Sequence, residues 1–509
     1  MLGRLRQHYC HPSILPLACA FGLVGGVVVA HCANGRFASP LVLVVGILVC
    51  ALFAVVLKSG ERVFFALLCG VMIGYLRMTP LLLARETMRQ FASRSSLRLS
   101  GQIASDPTIV DQAVKLRLDH LRLYSPEGLA LTDSLPVSAY VIYKDHPDNL
   151  RLFARSDTVV FEGKLMDGFG NYAAFLRHPT LIELSKPSPP SLALAFRNQL
   201  TERITKLFRN RDASALSLGF LLGQKSALSD TMLETLRLVG LSHAVVASGY
   251  HLSVIVASAK KLFGKISRRA AFYGSTLLLL LFLLVSGLSP SLLRASLVTF
   301  LSLSAAYFGR RYHPARLLGY AAAISLIVNP DLLTDLAWQL SFASFTGIMF
   351  LAPILTSFLY LKRQRPSYFA EALIVAFAAQ LACLPISVYA FGSFSILGIF
   401  MSLLVTPLIP PVMLLTLLAG CISLLGFAPL ATILALPAEF LASLQLNTVR
   451  LFAAFPWITY ELPAENPLIW LIYIPLIALA ILLWRITKHH FKPLYAQSDA
   501  LDYDRIYTC

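Results

Sequence analysis

Two histidines in an apolar stretch are the first residues of this sequence that could do chemistry. His243 and His251 lie eight residues apart in the uncharged segment Gly240-Leu-Ser-His-Ala-Val-Val-Ala-Ser-Gly-Tyr-His-Leu-Ser. On a helix they share one stripe with the small Ala247 between them, and Ser248-Gly249 predicts a kink or a break. Polar groups are costly at membrane depth, so the stripe predicts either a lined channel or a pair of histidines bonded between helices.

The same segment carries no complete catalytic or metal-binding set. Two histidines at this spacing, without a nearby Cys, Asp or Glu, do not match zinc motifs such as His-Glu-x-x-His. A hydrolase built on Ser248 and His251 would lack an acid to orient the base. The eight cysteines show neither metal spacing nor a disulfide framework. We therefore expect no catalytic residue, no metal and no cofactor.

Three further polar residues fall at the expected membrane depth. Arg294 follows the break Gly287-Leu-Ser-Pro290, where its guanidinium could either meet a phosphate or extend to the membrane surface. Gln339 and Gln380 add uncharged amides to apolar stretches, and hydrogen bonding between helices is their simplest role.

The composition places these residues in a membrane protein. Hydrophobic residues make up 57% of the 509 positions and charged residues 14%, whereas soluble domains carry about 25% charge. Uncharged stretches of about 20 residues or more predict spanning helices at Gln7–Gly35, Phe37–Leu57, Leu241–Ala259, Leu336–Leu361 and Asn466–Trp484. A longer run, Ala372–Ala438, is divided into about three passes by Gly392, Pro407, Pro410, Pro411 and Gly426. The fold class is a polytopic α-helical membrane protein with roughly ten to twelve spans.

A segment of different composition, Ser96–Leu184, interrupts the spans. Short alternating runs separated by turn signals predict about five strands, which suits a small OB-like β-barrel. The segment carries nine basic against eleven acidic residues, so a nucleic-acid contact would need a locally basic face with stacking aromatics. The candidates for that contact are Lys115, Arg117, Arg122, Tyr140 and Tyr143. The alternative is a structural or assembly domain.

Topology explains the net charge of +17 without a nucleic acid, because basic residues cluster at helix ends. Lys260–Arg269, Arg310–Arg316 and Lys362–Arg365 predict cytoplasmic loops, whereas Asn329–Asp335 predicts an external one. Arg4 and Arg6 favour a cytoplasmic N-terminus and hence an external barrel, although the arginines between positions 85 and 98 oppose this orientation. The predicted domains are membrane helices at 1–85, the barrel at 86–190, an amphipathic linker at 191–240, a channel domain at 241–488 and a tail at 489–509.

Five motifs occur in the order seen in the ComEC/Rec2-type competence family, which the chain resembles over residues 210 to 430. They are Gly240-Leu-Ser-His243, Ser248-Gly-Tyr-His251, Pro290-Ser-Leu-Leu-Arg294-Ala, Asn329-Pro with Gln339-Leu-Ser-Phe342, and Gln380-Leu-Ala-Cys-Leu-Pro385 running on to Gly392. The strand-rich segment also resembles, by position, the OB-type domain that this family carries outside the membrane.

The resemblance implies a membrane channel that passes single-stranded DNA across the bacterial cytoplasmic membrane during natural transformation. It implies that His243, Ser248, Gly249, His251, Arg294 and Gln339 line or support the path, with Gln380 in the fifth motif. The partners implied are single-stranded DNA, membrane lipid, a separate nuclease, a DNA receptor, a cytoplasmic helicase or motor, and further copies of the chain.

Many family members carry a metallo-β-lactamase-like nuclease domain, whereas this sequence contains no His-x-His-x-Asp-His motif. For that reason we do not expect an enzyme, and we expect the nuclease in a separate chain. The sequence also contains no phosphate loop ending in Gly-Lys-Ser or Gly-Lys-Thr, so a motor is expected in a partner. Two other hypotheses stay open: a membrane assembly or scaffold protein, favoured by the acidic balance of the barrel, and a transporter of a small anion that uses Arg294.

Overall fold

The architecture comes from a computed structural model of the chain. It describes residues 14–33, 43, 47–50, 59–92, 97–110, 113–144, 153–168, 170–187, 192–224, 228–241, 249–287, 289–310, 314–359, 367–395, 397–454, 459–461 and 467–487. His243, Ser248 and most of the predicted span Phe37–Leu57 lie outside the described residues.

Helices and strands follow one another in three stretches. The first contains α1 (Ile14–Cys32), α2 (Ser59–Phe91) and the strands β1 (Leu97–Ile103), β2 (Thr108–Val110), β3 (Ala113–Tyr124), β4 (Ala139–Lys144), β5 (Thr158–Asp167) and β6 (Ala174–Ser185). The second contains α3 (Leu192–Leu207), α4 (Arg211–Leu222), α5 (Asp230–Leu238), α6 (Gly249–Gly264), α7 (Arg268–Ser286), α8 (Pro290–Tyr307) and α9 (Pro314–Val328). The third contains α10 (Leu336–Thr346), α11 (Ala352–Leu359), α12 (Tyr368–Phe391), β7 (Ser393–Ser395), α13 (Leu397–Val405), α14 (Ile409–Leu424), α15 (Ala428–Ala453), β8 (Thr459–Glu461) and α16 (Tyr473–Thr487).

The long helices confirm a polytopic membrane protein. Among the described residues, eight helices are long and apolar enough to cross a membrane, and α8 and α9 are two shorter apolar helices. Large apolar side chains remain on the outside of these helices, as Leu277, Leu280 and Leu284 do on α7. An exposed leucine stripe is stable in hydrocarbon, so this surface of α7 suits lipid.

The breaks between helices are partly those the sequence predicts. Gly392 ends α12 with a φ of 62°, and Gly426 separates α14 from α15 with a φ of 89°. Pro407 does not break the chain into separate spans, because it lies in a short 3-10 turn, Thr406–Leu408, that continues into α14. Of the predicted span Leu241–Ala259, the structure describes Leu241 and the helix α6 from Gly249 onward, and residues 242–248 lie outside the described residues.

The strand-rich segment is a closed five-stranded barrel, as the OB-like prediction requires. Going around it, β1, β3, β4, β6 and β5 pair in that order and β5 returns to β1, with β4 and β6 parallel and the other pairs antiparallel. Alternate residues such as Leu116 and Leu118 point into the core and are fully buried. At Gly101 a side chain would meet Leu118 Cβ at 2.9 Å, beside an irregularity in the β1–β3 pairing, so this sharp curve needs a glycine.

The first two described helices pack through glycines. Gly22 and Gly26 of α1 face the backbone of α2, and Gly70 and Gly74 of α2 face the backbone of α1. A Cβ at any of these four positions would overlap a carbonyl oxygen of the opposite helix. The spacing of four residues on both helices is the small-xxx-small pattern of close membrane helix pairs.

The chain divides into two units, which are described separately. The first contains residues 1–202, 222–227 and 252–335, and the second contains residues 203–221, 228–251 and 336–509. Within the first unit, Arg85 at the end of α2 pairs with Asp331, and Arg77 donates to the carbonyl oxygens of Ile327 and Val328 at 2.6 and 2.9 Å. The loop 329–335 therefore lies at the end of α2 that leads into the barrel. The sequence analysis likewise predicts an external position for this loop and, from Arg4 and Arg6, for the barrel.

Candidate functional sites

His251 is held inside the second unit. It lies in the first turn of α6, which begins at Gly249, and it is 1% exposed. Its ring stacks on Phe220 of α4 with a centroid separation of 5.5 Å. A histidine packed on an aromatic ring has a fixed orientation, so His251 is a rigid polar group in an apolar surrounding.

Arg294 is a buried cation of the first unit. The hydroxyl of Ser289 caps α8 by accepting from the amide of Leu292 at 3.3 Å, and Pro290 opens the helix. Arg294 follows one turn later and is 9% exposed. Its guanidinium is thus kept within the protein rather than extended past its surface, which favours an interior role over the alternative of reaching the membrane surface.

Gln339 and Gln380 lie on a pair of packed helices in the second unit. Both residues are half-buried, Gln339 on α10 and Gln380 on α12. A π-helical turn, Gly347–Leu351, follows α10, and at Gly347 an added Cβ would lie 2.5 Å from the carbonyl oxygen of Ala378. Such close backbone contact and a π-turn often accompany functional positions in membrane helices.

Gln445 is a polar residue that the sequence analysis missed. It lies on α15, is 1% exposed, and donates from Nε2 to the carbonyl oxygen of Val405 at 3.0 Å. Its Oε1 is buried without a hydrogen-bond partner among the described residues. A glutamine in the middle of the apolar run Ala428–Ala453 was the signal that could have identified it.

The outer face of the barrel carries an aromatic cluster. Tyr140 on β4 lies 5.1 Å from Tyr172 and 6.3 Å from Phe175 between ring centroids, and the second pair is stacked. All three rings are half-buried. Tyr172 and Phe175 were missed because their proximity depends on the parallel pairing of Tyr140 with Phe175, which joins strands distant in sequence.

Two barrel candidates need correction. Tyr143 is 8% exposed and packs in the core against Phe153 and Phe161 at 5.7 and 5.5 Å, so it cannot stack on a base from outside. Arg117 is not a free cation, because its Nε donates to the carboxylate of Asp119 at 3.3 Å and its Nη2 to Ser138 at 3.2 Å. The carboxylate of Asp119 thus neutralises the charge of Arg117 within the barrel.

The two remaining barrel cations differ in their placement relative to the aromatic cluster. Lys115 is half-buried and is paired across the sheet with Ile142. Arg122 is exposed and is paired with Ser100 on the other side of β3. Arg117 is paired with Tyr140, so Lys115, two residues before Arg117 on β3, shares the outer face with Tyr140, whereas Arg122 lies farther along β3.

Burial and nearby charges affect the phenol of Tyr172. Burial raises its pKa, the Arg117 guanidinium lowers it, and the carboxylates of Asp335 and Asp119 raise it again, with a net increase. Burial also raises the pKa of Tyr140. Both rings therefore stay neutral hydrogen-bond donors well above physiological pH.

Among the described residues, no group of three His, Cys, Asp or Glu side chains is arranged to hold a metal ion.

Comparisons with known proteins identify the membrane region. The model of a family described as "Competence protein" matches residues 220–487, more than half of the chain. The chain is 28% identical to ComE operon protein 3 of Bacillus subtilis (strain 168) over 198 residues, which is 38% of this chain and 25% of that relative. The matched region thus spans a quarter of the relative's length. No solved structure matches the chain significantly.

Proposed function

The chain belongs to the competence protein family, and from that premise we propose that it passes single-stranded DNA across a bacterial cytoplasmic membrane. The observation that carries the proposal is the extent of the family match. Residues 220–487 include the helices that hold His251, Arg294, Gln339, Gln380 and Gln445. Polar side chains buried in apolar helices are expensive and usually mark a transport path.

Each of these groups suits a phosphate-bearing substrate in a different way. The guanidinium of Arg294 is a fork of donors that matches a phosphodiester, and its burial strengthens that interaction. His251, Gln339 and Gln380 are neutral groups that hydrogen-bond without holding an anion tightly. A path that combines one cation with neutral polar groups lets a polyanion enter and also leave.

The barrel offers a surface for the bases. Base stacking on aromatic side chains tolerates any sequence, and the cluster of Tyr140, Tyr172 and Phe175 provides such rings on the outer side of β4 and β6. In OB-folds the face of the second and third strands and the loop before the last strand bind oligonucleotides, and here Tyr140 lies on the third barrel strand and Tyr172 in the loop before the last strand. We place first contact with a single strand here rather than at Arg117, which is paired with Asp119.

The proposal assigns transport to this chain and chemistry to others. A channel needs neither a nucleophile nor a metal, so a separate nuclease would remove the second strand. A DNA receptor would deliver the substrate, and a cytoplasmic helicase or motor would supply energy. Further copies of the chain are the remaining proposed partners.

A scaffold function is the second candidate, and the contacts of the barrel favour it. Asn171 of the barrel donates to Asp335 in the loop before α10, so one end of the barrel is bonded to its own chain. The barrel also carries more acidic than basic residues. A domain with these properties suits protein assembly at least as well as phosphate binding.

The experiment measures entry of labelled DNA into a nuclease-protected cytoplasmic pool in a transformable host. Deletion of the gene is compared with complementation by wild type, Arg294→Ala and His251→Asn. Losing one charge-assisted contact of about 1.5–3 kcal/mol reduces binding by about ten- to a hundredfold, so we expect a decrease of at least about tenfold for Arg294→Ala.

Matched controls separate transport from folding. Arg310→Ala removes an exposed arginine of the same unit, and His178→Asn changes an exposed barrel histidine with a φ of 51°, a conformation that asparagine tolerates. Both should retain wild-type uptake, and all variants should reach equal membrane levels. Normal uptake in the deletion strain would overturn the channel proposal and leave the scaffold candidate.

A further inference from the structure

A second buried arginine lies at the base of the barrel, outside the residues proposed for the path. Arg197 on α3 is 2% exposed and pairs through Nη2 with Asp106, in the loop between β1 and β2. The same Nη2 lies 3.3 Å from the carbonyl oxygen of Leu222 at the end of α4. Three separate segments of the first unit thus converge on one guanidinium.

Most of that guanidinium lacks a partner. Nε and Nη1 of Arg197 are buried and have no hydrogen-bond partner within the part of the chain that the structure describes. These two atoms carry three N–H donors. A charged donor that is removed from water and left unbonded is rare in folded proteins, so these donors suit a bound anion.

A second arginine approaches the same place. The amide of Ser156, next to Arg155, donates to the carbonyl oxygen of Ile103 at 2.9 Å, which brings Arg155 to the end of β1 where the loop with Asp106 begins. Burial lowers the pKa of Arg155, the carboxylate of Asp106 raises it, and the guanidinium of Arg197 lowers it, in agreement with this proximity. Arg155 also lies against Gly287, where a Cβ would overlap its guanidinium. Asp157 is buried nearby in sequence, but its carboxylate accepts from the amide of Ala154 at 2.8 Å.

The charges therefore do not balance locally. Two guanidiniums lie near one carboxylate, that of Asp106, which pairs with Arg197 and is 27% exposed. Like charges held close together in a poorly solvated site repel, and a bound anion removes this repulsion. The planar forks of two arginines match the tetrahedral oxygens of a phosphate group.

We propose that Arg155 and Arg197 form a binding site for a phosphate-type oxyanion at the base of the barrel, with Asp106 competing for the same guanidiniums. The site does not depend on the proposed transport function, because free phosphate, a lipid headgroup and a DNA backbone all carry this chemistry. Gly287 leaves the room that the Arg155 side chain needs, and Leu222 fixes one edge of Arg197.

The test titrates inorganic phosphate into the purified full-length chain in detergent by calorimetry, with chloride at equal ionic strength as the reference. We expect Arg155→Gln to weaken phosphate binding by at least about tenfold, the effect of one lost charge-assisted contact. Arg177→Gln, an exposed arginine of β6, is the matched control and should bind like wild type. Equal binding by wild type and Arg155→Gln, or no binding beyond chloride, would overturn the proposal.

A second variant, expected to strengthen phosphate binding, tests the proposal if Arg155→Gln does not fold. Asp106→Asn removes the competing carboxylate, so phosphate should bind more tightly than in wild type and raise the thermal midpoint further. A purely structural ion pair gives the contrary result, a lower midpoint that phosphate does not restore. Competition then names the source: displacement by an abasic oligonucleotide indicates a DNA backbone, displacement by short-chain phosphatidylglycerol indicates a lipid, and displacement by neither indicates free phosphate.

Discussion

Asn171 of the barrel donates a hydrogen bond from Nδ2 to Oδ2 of Asp335, 164 positions later in the chain, at 3.1 Å. Asn171 lies in the loop between β5 and β6, and Asp335 follows the 3-10 turn Pro330–Thr334. Together with the ion pair between Arg85 and Asp331, this bond fixes one end of the barrel to the membrane helices. The barrel is therefore a docked domain and not a tethered one.

The docking bond can be tested by exchanging its two ends. Asn171→Asp places two carboxylates opposite each other, and we expect it to cost about 1 kcal/mol or more, roughly fivefold in local opening. Hydrogen–deuterium exchange at residues 170–173 should accelerate accordingly. The double variant Asn171→Asp with Asp335→Asn restores an amide opposite a carboxylate and should return exchange to the wild-type rate. If the double variant exchanges as fast as the single one, this bond does not dock the barrel.

Tyr172 provides the test of the aromatic cluster. Stacking of a base on an aromatic ring contributes about 1–3 kcal/mol, so Tyr172→Ala should weaken binding of a labelled single-stranded oligonucleotide by about five- to a hundredfold. Fluorescence anisotropy with the full-length chain measures this. Tyr172→Phe keeps the ring and should bind nearly as well as wild type. Tyr124→Ala, at the far end of β3, is the control, and equal losses at positions 124 and 172 would contradict a specific stacking site.

The pH dependence of stability follows from the same residue. The pKa of Tyr172 is raised in the folded state, so above about pH 10 the unfolded phenol ionises while the folded one keeps its proton. The unfolded state then binds fewer protons, and the free energy of unfolding must fall as pH rises. Tyr172→Phe should flatten this alkaline decline in thermal midpoint. An identical decline in both proteins would show that other groups cause it.

The alternation of side chains along a strand explains why the barrel was predicted correctly and why Tyr143 was wrongly placed on its surface. Alternating runs predicted the barrel because side chains in a strand alternate between its faces. The same rule places Tyr140 and Tyr143, three residues apart, on opposite faces, so they could not both stack on a strand from outside. The structure has Tyr140 on the outer face and Tyr143 in the core. Applying the period of two within β4 would have excluded Tyr143.

Contacts between distant segments were beyond sequence reasoning. The sequence analysis placed Arg197 in an amphipathic linker without assigning it a partner, whereas in the structure contacts with Asp106 and Leu222 surround it and it is buried. Arg117 looked like a free cation until the fold placed Ser138 beside it. Such pairings depend on barrel closure and helix docking, which a single sequence does not specify. The glycine pattern on α1 and α2, in contrast, was visible at Gly22, Gly26, Gly70 and Gly74 and was overlooked.

Alanine substitutions at two adjacent glycines of α1 are expected to change the stability of the chain in opposite directions. At Gly26 an added Cβ would overlap the carbonyl oxygen of Val71, so Gly26→Ala must separate α1 from α2 and should destabilise the chain by about 1–3 kcal/mol. At Gly25 a Cβ would meet nothing within 4 Å. Gly25→Ala should therefore be neutral or stabilising by up to about 1 kcal/mol, since alanine favours the helix.

The two variants differ by one position and carry the same change in composition, so each is the control for the other. Their thermal midpoints in one detergent should move in opposite directions relative to wild type, and Gly70→Ala should resemble Gly26→Ala because it meets the carbonyl oxygen of Cys19 from the other helix. Equal midpoints for Gly25→Ala and Gly26→Ala would mean that the helices do not touch at this face. In that case the close pairing of α1 and α2 would have to be abandoned.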